Sequence, residues 1–246
     1  MNEENNRKGP GVFYAVVGVA TLVVAIIGAT FAFFSTQTGS VNNAVNVGAY
    51  EFATSVKSVE RVYPTTVDEA KFTQGIIPLN AAKKIADSET TYLMRAIAND
   101  KKCIDEKGYM VCVLYKVTLT NTSTTAAEMN LTVKTTKNTA GAGGSKFTDL
   151  TFQALSGNEE AFTLNSTAVT LLANEGEAND IAGVTITADA AETTGVAKET
   201  VHYFVVYLNE ATAETNQSTQ MGAKYEGQLI YTTTTGGNTL TGTFTA

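Results

Sequence analysis

Residues 11–34, GVFYAVVGVATLVVAIIGATFAFF, contain no charged side chain, and Arg7 and Lys8 stand just before them. As a helix this run would extend roughly 36 Å, enough to cross the hydrocarbon core of a bilayer. A helix apolar on every face would need protein all around it to lie in a soluble core. The run therefore reads as a hydrophobic signal or anchor helix, and the chain after it as a body that folds outside the cytoplasm. Small residues Thr30 and Ala32 occupy the two positions a signal peptidase reads, Phe33 follows, and the polar Ser35-Thr36-Gln37 comes next. That arrangement predicts cleavage near Ala32. The apolar stretch is longer than a typical signal core, so retention as a membrane span is the alternative, with residues 11–34 as the only membrane contact.

The chain has 246 residues, with 17 basic and 24 acidic side chains, a net charge of −7. The first ten residues hold two of each sign, so the whole imbalance belongs to the body. An acidic surface without a basic cluster argues against nucleic acid and anionic lipid as partners. Thr and Val are abundant and Trp is absent, a balance that favours strands.

Below the leader, short alternating or β-branched runs are separated by turn-rich pieces. Expected strands are residues 45–52, 91–98, 109–120, 129–135, 148–155, 161–171, 181–187, 201–208, 225–234 and 239–245. In Tyr115–Thr120 the odd positions should face a core, and Val201–Leu208 (VHYFVVYL) should be buried on both faces. Pro78–Asp87 should make a short helix, residues 209–222 a long loop, and Ala140–Gly144 (AGAGG) a flexible connector. The fold class implied is all-β: a jelly-roll-like antiparallel sandwich with one or two short helices, preceded by the hydrophobic leader. Residues 1–32 form the leader, 33–50 an arm or first strand, and 51–246 the sandwich.

Two cysteines, Cys103 and Cys112, flank a hairpin signal, KKCIDEKGYMVC. A two-residue turn at Lys107-Gly108 would set Cys103 opposite Cys112 at a non-hydrogen-bonded site, where side chains approach most closely. Lys is not favoured at the head of such a turn, so a three-residue loop with a bulge is the other solution. Either way a disulfide clamp is expected outside the cytoplasm.

Reactive chemistry is sparse. The sole histidine, His202, sits in an apolar strand and reads as a packed core residue. No HExxH, GxSxG or phosphate-loop motif occurs, and no catalytic residue, metal site or cofactor is expected. Glu159-Glu160 and Glu175/Glu177/Asp180 lack calcium-loop spacing and read as solvated charge. Four Asn-x-Ser/Thr triplets begin at Asn121, Asn130, Asn165 and Asn216.

The segment GATFAFFSTQTG (28–39) resembles the leader end of the TasA/camelysin family, where a Gly-rich hydrophobic signal is cut by a dedicated signal peptidase. Asn42–Phe52 (NNAVNVGAYEF) is similar to that family's first segment, and Lys116–Thr135 to one of its strand–bend–strand units. The resemblance implies a secreted jelly roll that polymerises head to tail into biofilm-matrix fibres, each subunit completing its neighbour's sheet. It implies a freed donor arm carrying Phe33, Phe34, Val41, Val45 and Val47. Its partners would be other copies of itself, the signal peptidase, and further matrix or cell-surface components. A cysteine pair, an acid-bearing start and a long leader depart from the family pattern. The family's peptidase label finds no zinc-ligand set here.

The arm also has its own physical logic: β-capable residues without a partner inside one short segment can add to an open sheet edge of another chain. A heterologous contact of that kind need not close, and so makes filaments. Two further readings compete. A pilin-like subunit would retain its helix, but Val16 stands where pilins carry Glu. A membrane-anchored adhesin would require the span to survive.

Overall fold

Strand-forming runs must hide one face or both, and the computed structural model shows how this chain does so over residues 53–64, 75–79, 89–98, 102–105, 107–209 and 217–246. In chain order the strands are β1 (Thr54–Tyr63), β2 (Cys112–Asn121), β3 (Ala127–Thr139), β4 (Leu150–Asn158) and β5 (Ala161–Leu164). There follow β6 (Val169–Thr170), β7 (Ala178–Ala188), β8 (Lys198–Leu208), β9 (Lys224–Thr233) and β10 (Thr239–Thr245). Among the described residues between β1 and β2 there is one α-helix, α1 (Glu89–Ile97).

These strands form two antiparallel sheets. The first runs β1-β2-β8-β4-β5, with β6 beside β4; the second runs β10-β9-β3-β7. The chain changes sheet at β2–β3, β3–β4, β6–β7, β7–β8 and β8–β9, which makes an all-β sandwich wound back and forth between layers. All described residues belong to one unit.

Alternation decides which side chains enter the space between the sheets. Tyr115, Val117 and Leu119 of β2 and Phe204, Val206 and Leu208 of β8 join Leu131, Leu229 and Tyr231 there. Phe204 is the hub of this layer: it stacks on Tyr115 at 4.9 Å and on Phe152 at 4.8 Å, and meets Phe244 edge-on at 5.1 Å.

The intervening positions of the same strands fill a second cluster on the outer face of the first sheet. Leu114, Tyr203, Val205 and Tyr207 lie there beneath α1, whose Leu93, Ala96 and Ile97 are each 1% exposed. This is why β2 and β8 read as apolar nearly throughout: both faces are covered. Val201 alone in the apolar run stays exposed, at the open start of β8.

Several expectations need correcting. Of the strand expected at residues 91–98, residues 91–97 belong to helix α1, because Leu93, Ala96 and Ile97 recur at helical spacing and find the outer sheet face to cover. Strand β1 was not expected; bulges between Val56 and Ser58 and between Arg61 and Tyr63 break its alternation. Residues 161–171 divide into β5 and β6, since Ser166 leaves the ladder to bond β4 with its side chain, Ala154 N–H donating to Ser166 Oγ at 2.9 Å.

The glycine run at 140–144 is no loose connector. A Cβ on Gly141 would stand 1.9 Å from the carbonyl carbon of Gly222, and one on Gly143 would stand 2.4 Å from Ser218 O. Backbone crosses backbone there, and only glycine permits the approach. Within the expected 209–222 loop, Gln217–Gln220 form a 3₁₀ turn. Of the expected 78–87 helix, Pro78 instead makes an isolated parallel bridge to Leu208; residues 80–87 lie outside the described residues.

Candidate assembly interface

Thr30, Ala32, Phe33, Phe34, Val41, Val45 and Val47, the expected cleavage and donor-arm residues, all lie outside the described residues. The described body shows what an incoming strand would meet.

On one flank, edge strands β1 and β10 converge. A Cβ on Gly242 would stand 2.6 Å from Val59 Cγ2, so the two strands touch at mid-length. The Tyr115 hydroxyl reaches across from β2 and donates to the Thr245 carbonyl oxygen, and burial pushes its pKa up to about 12. Towards the start of β1 the flank opens into a cleft of about 470 Å³, lined by Ala53, Thr54, Asn121, Glu128, Asn238 and Leu240 among others. Ala53 is where the described body begins, and its carbonyl accepts from Thr122 N–H at 2.7 Å.

Asn121 shapes the cleft wall. Its Oδ1 accepts from Ser123 N–H at 2.9 Å, and its Nδ2 donates to Thr125 O at 2.9 Å and Ala188 O at 3.3 Å. With 0% exposure and both ends of its amide engaged, Asn121 is closed to glycosylation. Asn130 and Asn165 are exposed.

The opposite flank is guarded. Register along β3 and β7 jumps from Asn130↔Thr185 to Thr132↔Asp180, so residues 181–184 bulge out of the ladder, with Gly183 at φ +77°. A bulge at a sheet edge spoils it as a template for further strands. Nearby, Asn179 stitches the two sheets: its Oδ1 accepts from Leu172 N–H at 3.1 Å, and its Nδ2 donates to Thr170 O at 3.3 Å.

The disulfide forms as expected between Cys103 and Cys112, with Cα atoms 4.9 Å apart and both residues at 0% exposure. The hairpin takes the three-residue solution. Ile104 pairs Met110, Gly108 N–H donates to Asp105 O at 3.0 Å, and Gly108 sits at φ +84°. Cys103 also ends α1, its N–H donating to Ala96 O at 2.7 Å with φ at +62°. The bridge thus ties the helix end to the first residue of β2.

Among the described residues no three His, Cys, Asp or Glu side chains gather as a metal set. Nor is any described helix long and apolar enough to cross a membrane. Glu177 is spent on Asn174, accepting from its N–H at 3.2 Å and from its Nδ2 at 3.1 Å, and Asp180 accepts from Thr132 Oγ1 at 2.8 Å.

Sequence reasoning missed the cleft. Its walls come from turns at residues 121–128 and 233–240, distant in sequence, and its residues are small and polar, without a signature. No protein-family model matches this chain, and no curated protein matches it.

Proposed function

We propose that this chain is a secreted structural subunit of an extracellular matrix fibre, assembled head to tail when the segment freed after Ala32 of one copy adds as a strand to the next. The single observation that carries this reading is the pairing of a Thr30-Phe31-Ala32-Phe33-Phe34-Ser35 leader end with an all-β sandwich. The flank geometry supports it. The β7 edge is bulged, whereas the β1/β10 flank opens into an uncharged cleft apart from Glu128, and strand addition needs an edge with free backbone groups. The buried disulfide supports a home outside the reducing cytoplasm.

The length of the 11–34 run favours one second reading, a surface adhesin or pilin-like subunit that keeps its helix in the membrane or filament axis. Sequencing the first residues of the exported protein separates the two. A start at Phe33 supports the fibre reading. A start at Val12 or an unprocessed chain overturns it.

A further inference from the structure

Among the described residues, every buried side-chain nitrogen and oxygen has a hydrogen-bond partner except one, the Nδ1 atom of His202. His202 lies on β8 in the inward register of Phe204 and Val206, opposite Val117 of β2. Its ring points across the gap to the second sheet. There its Nε2 lies 2.9 Å from the hydroxyl of Tyr231 on β9, and the two rings meet edge-on at 5.4 Å. Tyr231 is fully enclosed. His202 as a residue is half-buried, because β8 opens to solvent at Val201, but its Nδ1 is shut in.

Either tautomer leaves one ring position unsatisfied. If Nε2 accepts from the tyrosine, Nδ1 carries a hydrogen with nowhere to donate. If Nε2 donates, Nδ1 keeps a lone pair with no donor. A second proton would make both nitrogens donors, with one acceptor between them and a full charge inside the core.

No nearby group compensates that charge. Val117 stands opposite it on β2 and Tyr231 meets it from β9, and the inter-sheet cluster around them is apolar: Leu119 from β2, Met129 and Leu131 from β3, Ile186 and Ala188 from β7, Leu229 from β9. The titratable groups in this core are the hydroxyls of Tyr115, Tyr225 and Tyr231. No described buried residue is Asp, Glu, Lys or Arg.

We propose that His202 is a proton-sensitive latch between the two sheets, which holds β8 against β9 while neutral and loosens the sandwich when protonated. Burial alone lowers the His202 pKa from 6.5 to about 4. The unfolded chain therefore takes up the proton first as pH falls. Stability from this group is complete above pH 6.5, is lost as pH falls from there towards 4, and changes no further below. The site is local to the sandwich and stands whether or not the chain forms fibres.

The test uses the full chain in neutral detergent, with denaturant titrations from pH 8 to pH 4 alongside NMR of the single histidine. The folded-state His202 signal is expected to stay in its neutral position down to pH 5. The folding equilibrium constant should fall on the order of a hundredfold more in the wild type than in His202→Gln between pH 7 and pH 4, at up to tenfold per pH unit. That subtraction removes the shared contribution of the carboxylates. Tyr231→Phe, which keeps the core volume and the histidine, serves if His202→Gln fails to fold. It should weaken the folded state already at pH 7, because the bond between the sheets is gone, while burial keeps the histidine signal neutral at pH 5 and the acid limb steep. A histidine that titrates near 6.5 in the folded protein, or wild-type and His202→Gln curves that fall in parallel, would overturn the proposal.

Discussion

The two apolar clusters share strands β2 and β8 yet are built on different physics. The inter-sheet layer is closed by long ladders on both sides and centres on stacked rings, Phe204 between Tyr115 and Phe152. The outer cluster has a sheet on one side only, and on the other the short helix α1, tied by the Cys103–Cys112 bridge. A nine-residue helix is marginal by itself, so its order derives from the surface it covers and from the clamp at its end. One sheet is thus the floor of two cores, one carried by topology and one by a covalent staple.

The largest effect should come from the inter-sheet hub. Phe204→Ala is expected to cost about 3–5 kcal/mol, seen as a lower denaturation midpoint for every probe at once. If only β8 amides lost protection, the layer would not be the single cooperative unit described.

Next is the staple. Replacing both cysteines by alanine should cost about 2–3 kcal/mol, the loop-entropy value for so short a ring. Hydrogen exchange should show the loss first in α1, with Ile97 opening more than Val206. Uniform loss across both clusters would erase the distinction drawn between them.

Leu93→Ala, at 1% exposure on the covered face of α1, should cost about 2–3 kcal/mol. It too should act locally, read as faster exchange in α1 with β9 and β10 unchanged. The smallest effect belongs to the surface. Lys57 bonds Glu199 at 2.6 Å, but both side chains are about half exposed, so Lys57→Ala should change stability by less than about 0.5 kcal/mol. A loss above about 1 kcal/mol would mean that edge charge holds β1 in place.

The legibility of these regions in the sequence follows the same division. Tyr115, Val117 and Leu119 announced their inward face by strict alternation, and VHYFVVYL announced two covered faces by having almost no polar member. These are local patterns, and the inter-sheet layer is made of them. The outer cluster was hidden because Thr91–Ala98 is rich in residues that suit either state, and only the waiting sheet face decides for helix. Strand β1 was hidden by its bulges and by Lys57, Glu60 and Arg61, which mark an edge rather than a core strand. The disulfide was legible from spacing, and its hairpin register turned on Gly108 adopting a positive φ. Gly141 and Gly143 were misread because glycine-rich runs look alike whether they bend freely or let two backbones cross. The candidate cleft drew on turns more than a hundred residues apart, a juxtaposition no short window contains.

In the proposed fibre, the segment after Ala32 joins one sandwich to the next. Electron microscopy of the processed protein, beside the same protein lacking Phe33–Val47, decides whether it does. Long filaments are expected from the first and dispersed single particles from the second. Filaments that persist without the segment, or single particles from both at high concentration, would contradict it.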